Sequence, residues 1–214
     1  MNVLIVDDHE LVRTGIRRLL EDNSNIKVIA EAASGEEAVE MAKTYSPDVI
    51  LMDIYMPGIG GLEATHKILL HSPDQKIIIL TAHSEGPLPK TLLEAGAVGY
   101  LTKGCAVEEM VAAIKQVSRG QKYIAPEIAQ KMALSMVAGS ENSPFERLTQ
   151  RELQIVMMIT QGLRTQDISD TLCLSPKTVS TYRSRIMSKL GVESGIELVK
   201  LAIQHGLTEQ EPVS

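Results

Sequence analysis

The first 120 residues alternate between short aliphatic runs and longer segments in which apolar residues recur every three or four positions. The short runs are typical of strands buried on both faces, and the longer segments of amphipathic helices. The pattern predicts strands at 2–6, 26–31, 48–52, 76–81 and 98–101, and helices at 10–22, 34–45, 60–70, 88–95 and 106–118. Strands that alternate with helices indicate a doubly wound α/β domain, here with a five-stranded parallel sheet.

The pattern changes after Gly120, and the second part of the chain is predicted to be all-helical. Residues 126–138 favour a short helix, and the polar run 139–144 is typical of a linker. Helical periodicity then continues at 149–161, 165–172, 176–190 and 195–205. We therefore predict an α/β domain at 1–120, a linker with a short helix at 121–147, a helical domain at 148–206 and a tail at 207–214.

Composition places the chain in a reducing compartment. Its two cysteines, Cys105 and Cys173, lie far apart and form no CxxC pair, which disfavours a disulfide framework or a zinc site. The first apolar run ends after four residues, too short for the core of a signal peptide. No apolar run approaches the roughly 18 residues that span a bilayer. We expect a cytoplasmic protein with no membrane partner.

The net charge of −6 is distributed unevenly. Residues 1–147 contain 14 basic and 20 acidic residues, whereas residues 148–206 contain 7 basic and 5 acidic ones. Between Leu174 and Val192 there are four cations and no acid. An acidic domain joined to a locally basic one indicates different partners for the two.

Acidic residues and one lysine follow the predicted strands of the first domain. Asp53 comes directly after 48–52, Asp7 and Asp8 follow 2–6, and Thr81 and Lys103 stand near the ends of two further strands. The carboxyl ends of parallel strands meet at one edge of a sheet, where open α/β sheets bind ligands. One Asp after a strand is more often a cap or loop residue, but four such strand ends together favour a site.

The residue types at this edge indicate phosphoryl transfer. Three neighbouring carboxylates repel one another unless a cation is present, and oxygen ligands select Mg²⁺ or the similar Mn²⁺. Lys103 offers a compact positive charge and Thr81 a hydroxyl donor. A cation, an ammonium group and a hydroxyl around a carboxylate nucleophile stabilise the charge of a transferred phosphoryl group.

The basic segment predicts a helix-turn-helix. The helix at 165–172 is followed by a three-residue turn, and Ser175-Pro176 is a favourable start for the next helix. That helix places its apolar residues on one face and its cations and small hydroxyls largely on the other. Such a surface alone is more often solvated, but after a helix and a tight turn it favours the major groove of DNA.

Residues 1–120 resemble the receiver domain of two-component signalling, which has a flavodoxin-like fold. The resemblance implies that Asp53 accepts a phosphoryl group from a sensor histidine kinase. It also implies that the metal is bound by Asp8, Asp53 and the backbone carbonyl of Tyr55, with Asp7 acting through water. Lys103 would contact the phosphoryl oxygens, and Thr81 and Tyr100 would form the conformational switch. Many receivers have Pro after this lysine, often with a cis bond; Gly104 stands there instead and leaves the isomer open.

Residues 148–206 resemble the LuxR-type helix-turn-helix of NarL/FixJ response regulators. The motif Leu148-Thr149-Gln150-Arg151-Glu152, Gly162 and the run 175–192 carry the resemblance. It implies that the second helix of the motif reads double-stranded DNA and that the last helix contributes to a homodimer, formed on phosphorylation or on DNA. The implied base contacts are Ser180, Thr181 and Ser184. The implied phosphate contacts are Lys177, Thr178, Tyr182, Arg183 and Lys189.

Together these features predict a phosphorylation-controlled transcription regulator, most similar to the GacA/UvrY/SirA subgroup. We expect no enzymatic turnover beyond intrinsic autophosphorylation and autodephosphorylation. Two other functions remain open: a receiver with a protein- or RNA-binding output, and an aspartyl-nucleophile phosphatase fused to a regulatory domain. The phosphatases typically have a second Asp two residues after the nucleophile, where this chain has Tyr55.

Overall fold

The first part of the chain forms a parallel sheet flanked by helices. The computed structural model describes residues 1–22, 25–82, 88–137 and 143–208. The strands are β1 (Asn2–Val6), β2 (Lys27–Ala32), β3 (Val49–Met52), β4 (Ile77–Thr81), β5 (Gly99–Thr102) and β6 (Tyr123–Ile124). The helices are α1 (Glu10–Glu21), α2 (Gly35–Tyr45), α3 (Gly60–His71), α4 (Leu88–Glu94) and α5 (Val107–Ser118).

Among the described residues the sheet has six strands, in the order β2-β1-β3-β4-β5-β6, and all of the pairings are parallel. The α/β prediction is confirmed, but the prediction of five strands is wrong. The additional strand, β6, has only two residues and pairs with Gly99 and Tyr100 of β5. Two residues are too few to produce a recognisable strand pattern, so β6 was hidden in the stretch predicted to be linker.

The central strands are buried because helices cover both faces of the sheet. Every residue of β3 and β4 is buried, as are the last four residues of β1. Helix α1 packs against α5, and α2 packs against α3. Strands covered on both faces need aliphatic side chains throughout, which explains the continuous apolar runs.

The start of α3 packs closely against the residues that follow β3. The backbone amide of Gly61 donates to the carbonyl oxygen of Ile54 at 3.0 Å. A Cβ atom on Gly61 would overlap the carbonyl oxygen of Asp53. Glycine at this position therefore allows the helix to approach the residue that follows β3.

The second part of the chain is helical. Its elements are α6 (Pro126–Val137), a short 3-10 helix (Pro144–Arg147), α7 (Gln150–Thr160), α8 (Thr165–Leu172), α9 (Pro176–Leu190) and α10 (Gly195–Gln204). The predicted linker at 139–144 lies mostly outside the described residues. The chain forms two compact units, and in this region the boundary between them falls between Gln130 and Lys131.

Caps set the limits of the helices in the second unit. Thr149 and Glu152 form a reciprocal capping box at the start of α7. Ser175 caps α9 by accepting from the amide of Thr178, and Pro176 occupies the first helical position. Gly191 ends α9 in the left-handed conformation, with φ of 66°. Among the described residues, no helix has the length and apolar character needed to cross a membrane.

We predict opposite effects from the same substitution at two glycines. Gly61→Ala should lower the free energy of unfolding by about 3 kcal/mol, because the new methyl group must displace the backbone of Asp53. Gly15→Ala should raise it by up to about 1 kcal/mol, because this position in α1 is surrounded by open space and Ala is the better helix former. Urea unfolding measures both; equal destabilisation by the two variants would contradict the close approach at Gly61.

Candidate functional site

The predicted site residues of the first unit converge at one edge of the sheet. Asp7, Asp53 and Lys103 each follow directly after a strand, and Thr81 is the last residue of β4. Because β1, β3, β4 and β5 are adjacent and parallel, these four ends point the same way. The prediction that the residues lie close together is confirmed by the distances below.

Asp53 is fully buried and held on both carboxylate oxygens. Oδ1 accepts from the amide of Ile54 at 2.7 Å, and Oδ2 accepts from Lys103 Nζ at 2.8 Å. The same Nζ lies 2.8 Å from Asp7 Oδ2. The backbone amide of Lys103 donates to the carbonyl of Thr81 at 2.7 Å, which ties β5 to β4 where the lysine emerges.

Asp7 and Asp8 form the other side of the site together with His9. Asp7 Oδ1 accepts from the backbone amide of His9 at 2.9 Å. The Nδ1 atom of His9 lies 3.2 Å from Asp7 Oδ1 and 2.9 Å from Asp8 Oδ1. The negative charge of Asp8, and to a lesser degree that of Asp7, raises the pKa of His9.

Burial dominates the ionisation of Asp53. It raises the pKa of this carboxyl group from 3.8 to about 7, although Lys103 opposes the shift. Burial would lower the pKa of Lys103, but the charge of Asp53, the hydrogen bond to Asp53 and the ion pair with Asp7 outweigh this effect, and the pKa rises. A buried carboxyl group with so high a pKa is typical of a functional site.

The predicted switch pair lies next to the acidic cluster. Thr81 is fully buried, Tyr100 is 1% exposed, and their side chains are hydrogen-bonded to each other. Burial and the charge of Asp53 raise the pKa of Tyr100, so its phenol stays neutral. The hydroxyl of Thr81 thus connects the acidic edge to the buried ring.

The acidic cluster fits a hard divalent cation. Ligand atoms of Asp7, Asp8, His9 and Asp53 all lie within 4.8 Å of one another. Asp7 Oδ2 and Asp8 Oδ1 are buried without a hydrogen bond, although Lys103 Nζ lies 2.8 Å from the first and His9 Nδ1 lies 2.9 Å from the second. Buried carboxylate oxygens with free lone pairs suit Mg²⁺. Tyr55, whose carbonyl is the further predicted ligand, is 8% exposed and follows two residues after Asp53.

Glu36, a residue of α2, holds the loop that follows Asp53. Glu36 Oε1 accepts from the backbone amide of Ile59 at 3.1 Å. A Cβ atom on Gly58 would meet the Glu36 carboxylate at 2.5 Å, so the loop passes very close to this side chain. Gly58 also has φ of 75°, which favours glycine. The segment that includes Tyr55 therefore has a defined course.

The predicted DNA-binding residues lie on α9. Five of them are exposed: Lys177, Ser180, Thr181, Ser184 and Lys189. Thr178, Tyr182 and Arg183 are half-buried. Val179 and Ile186 are fully buried and anchor the opposite face of the helix. The predicted separation of a polar outer face from an apolar inner face is confirmed.

The polar groups of α9 differ in how free they are to bind DNA. Ser180 and Ser184 make no side-chain hydrogen bond among the described residues. Thr181 Oγ1 donates to the carbonyl of Lys177 at 2.9 Å, and Thr178 Oγ1 lies 2.8 Å from Ser175 Oγ. Hydroxyls that are already bonded within the helix have less capacity for a base edge.

Lys189 is held by a buried carboxylate. Its Nζ donates to Glu152 Oε2 at 2.7 Å, and the backbone amide of Thr149 donates to the same oxygen at 2.8 Å. Burial would raise the pKa of Glu152, but the hydrogen bonds from Lys189 and Thr149 lower it. The ion pair joins the last turn of α9 to the first turn of α7. The predicted phosphate contact of Lys189 would compete with it.

Arg183 lines an open groove of about 720 Å³ at one side of α9. Its neighbours there include Leu163 and Arg164 from the loop before α8, Ser194, which caps α10, and Ile196 of α10. Arg185, which was not among the predicted contacts, is exposed on α9.

Sequence reasoning missed His9, Arg13 and Glu31 at the acidic site. Arg13 Nη1 donates to the carbonyl oxygen of Asp7 at 2.7 Å, and Arg13 Nε donates to Glu31 Oε2 at 3.3 Å. His9 follows directly after the paired aspartates, and Arg13 stands one helical turn further on. That spacing was the available signal.

Comparison with known proteins covers the whole chain. Residues 3–115 match the response regulator receiver domain, and residues 146–202 match bacterial regulatory proteins of the luxR family. The chain is 56% identical to the response regulator UvrY of Escherichia coli (strain K12), over 100% of this chain and 99% of that protein. It is 52% identical to the response regulator GacA of Pseudomonas aeruginosa (strain PAO1), over 98% of each.

Solved structures of response regulators also resemble this chain. RcsB from Salmonella enterica serovar Typhimurium, bound to promoter P1flhDC in the presence of phosphomimetic BeF3−, superposes with a TM-score of 0.74 at 26% identity. The match covers 94% of this chain and 97% of that one. A LuxR-family two-component response regulator from Aurantimonas sp. SI85-9A1 is 39% identical with a TM-score of 0.62, covering 64% of this chain and 97% of that one.

We predict that Asp53→Asn stabilises the protein when no divalent cation is present, and that the gain grows with pH. Because the folded-state pKa of about 7 exceeds the ordinary 3.8, ionisation of Asp53 opposes folding as the pH rises through this range. The variant should gain on the order of 2–4 kcal/mol over the parent at pH 8 in EDTA, and almost nothing below pH 4. Denaturant unfolding at several pH values measures this; a gain that does not increase with pH would contradict it.

We also predict different effects from two lysines of α9. Lys189→Gln should lower the free energy of unfolding by about 1–2 kcal/mol, because it leaves the buried Glu152 without its cation. It should leave the salt dependence of DNA binding unchanged. Lys177→Gln should do the reverse, with normal stability and a slope of log K against log salt reduced by about 0.9. A reduced slope in the Lys189 variant would instead favour a phosphate contact.

Proposed function

The chain belongs to the response regulators that combine a receiver domain with a luxR-type DNA-binding domain, and we propose that Asp53 is the phosphoacceptor of its receiver. The observation that carries this proposal is the position of Lys103 Nζ, 2.8 Å from both Asp53 Oδ2 and Asp7 Oδ2. One ammonium group can thus stay beside Asp53 before and after a phosphoryl group is attached. The family match also favours a DNA-binding output over a protein- or RNA-binding one.

The proposed reaction is the transfer of a phosphoryl group from a phosphohistidine of a sensor kinase. A carboxylate oxygen of Asp53 attacks phosphorus, and the bond from phosphorus to the histidine nitrogen breaks. The electron pair of that bond leaves with the imidazole, which is then protonated. Lys103 neutralises charge on the phosphoryl oxygens, and Thr81 can donate its hydroxyl to one of them.

A divalent cation, Mg²⁺ or Mn²⁺, completes the proposed site. The residues that would hold it are Asp8, Asp53 and the carbonyl of Tyr55, with Asp7 acting through water. When bound, such an ion supplies positive charge that favours the ionised, nucleophilic form of Asp53 and offsets phosphoryl charge. The buried carboxylate oxygens of Asp7 and Asp8 that lack hydrogen bonds support this assignment.

The proposed output is binding of double-stranded DNA by α9 in a homodimer. The exposed Lys177, Ser180 and Ser184 support this role. Base contacts by Ser180, Thr181 and Ser184 and phosphate contacts by Lys177, Thr178, Tyr182 and Arg183 belong to the proposal. We propose a cytoplasmic location, and no turnover of an external substrate beyond autophosphorylation and autodephosphorylation.

The test is phosphorylation of the full chain by acetyl phosphate and Mg²⁺, measured by intact-mass spectrometry. The parent should gain one phosphoryl group, and Asp53→Asn should gain none, because it lacks the nucleophile. Asp48→Asn is the matched control, since Asp48 is exposed and stands just before the start of the same strand. It should be labelled like the parent. Equal labelling of Asp53→Asn would refute the assignment of the acceptor.

The same samples test the coupling to DNA. The phosphorylated parent should bind genomic DNA fragments about tenfold more tightly than the unphosphorylated parent, a typical size for coupling between two sites. The Asp53→Asn protein should not respond to acetyl phosphate. Equal and sequence-independent binding in all samples would contradict a phosphorylation-controlled output.

A further inference from the structure

Arg13 connects the acidic site to Glu31, near the end of the neighbouring strand β2. Its side chain is 14% exposed, which is low for an arginine near the first turn of a helix. Nη1 donates to the carbonyl oxygen of Asp7 at 2.7 Å. Nε donates to Glu31 Oε2 on β2 at 3.3 Å. The guanidinium therefore bridges α1, β1 and β2 just behind the paired aspartates.

The contact with Arg13 completes the hydrogen bonding of Asp7. The amide of Asp7 donates to the carbonyl of Ala32 at 3.1 Å, Oδ1 accepts from the amide of His9, and Oδ2 lies beside Lys103. The carbonyl oxygen is the remaining polar group, and Arg13 occupies it. Asp7 is 1% exposed, so an unpaired carbonyl here would be costly.

The hydrogen bond from Arg13 fixes the whole peptide group between Asp7 and Asp8. The peptide group that begins with the carbonyl of Asp7 ends with the amide of Asp8, so the guanidinium orients the backbone between the two carboxylates. Groups that orient metal ligands from behind commonly change metal affinity by 10–100-fold when they are removed.

We propose that Arg13, oriented by Glu31, is a positioning residue that sets the affinity of the Asp7–Asp8 pair for the divalent cation. The inference rests on the proposed function, because it concerns the cation of that same site. It assigns a role to a side chain that touches neither the cation nor the phosphoryl group.

The geometry demands arginine at this position. A planar guanidinium reaches the Asp7 carbonyl and the Glu31 carboxylate at the same time through separate nitrogens. A lysine has a single nitrogen to share between them. Arg13→Lys should therefore rescue the function only in part.

Arg17 provides a matched control on the same helix. Its Nε lies 3.0 Å from Glu31 Oε1, so it pairs with the same carboxylate from one turn further along. The described contacts of Arg17 do not include Asp7. Arg17→Gln removes a positive charge beside Glu31 but keeps the contact between Arg13 and the Asp7 carbonyl.

The experiment compares Arg13→Gln, Arg13→Lys and Arg17→Gln with the parent, all as full chains. Calorimetry measures the Kd for Mg²⁺ without any phosphoryl donor. Acetyl phosphate labelling across a Mg²⁺ titration then gives the half-saturating concentration and the maximal rate. We expect Arg13→Gln to weaken Mg²⁺ binding and raise half-saturation about tenfold, with the maximal rate within about twofold of the parent. Arg13→Lys should lie in between, and Arg17→Gln should match the parent.

Three results would overturn the inference: an unchanged Kd in Arg13→Gln, an equal shift in Arg17→Gln, or a lower maximal rate at unchanged half-saturation. Thermal unfolding in EDTA checks that all variants are folded. If Arg13→Gln does not fold, Arg13→Lys decides alone, and a Kd equal to that of the parent refutes the inference. If the parent binds Mg²⁺ but is never labelled, the proposed function fails, whereas the Kd values still decide the role of Arg13.

Discussion

The ammonium group of Lys103 offsets the repulsion between two carboxylates, Asp7 and Asp53, at the carboxyl ends of neighbouring strands. A parallel sheet brings all of its strand ends to one side, so the residues after β1 and β3 must be neighbours. In this chain those residues are carboxylates, and Asp53 has no access to water. Lys103 stands between Asp53 and Asp7 at 2.8 Å from each, yet the pKa of Asp53 remains near 7. One cation is therefore not enough, and the edge is suited to receive a second.

The two units use buried charge in different ways. In the first unit the raised pKa of Asp53 favours its neutral form, because the cost of burying its charge outweighs the attraction of Lys103. In the second unit the buried Glu152 has a lowered pKa, since Lys189 and both donor groups of Thr149 satisfy it. The first arrangement leaves free energy to be gained by binding, as functional sites do. The second fastens α9 to α7 and favours a single position of α9.

Sequence alone predicted the features that depend on periodicity and on chain direction. The buried strands, the convergence of Asp7, Asp53, Thr81 and Lys103, and the two-faced helix α9 all follow from such patterns. The contacts that an individual side chain makes could not be predicted from such patterns. Arg13 and Lys189 are cations on amphipathic helices, and nothing in the pattern shows that one meets a strand-end carbonyl and the other a buried carboxylate. The open choice at Gly104 was also settled only by the structure, because among the described residues there is no cis peptide bond.

The short strand β6 has a mechanical consequence for the chain. Its neighbours on β5 are Gly99 and Tyr100, and the amide of Ala125 donates to the carbonyl of Tyr100 at 3.0 Å. The polypeptide that leaves the sheet toward α6 is therefore fastened at the backbone of Tyr100, the tyrosine whose hydroxyl is hydrogen-bonded to Thr81. Any shift of the Tyr100 backbone must either pull on residues 123–125 or break this tether. The backbone position of Tyr100 and the course of the chain that enters α6 are thus mechanically coupled.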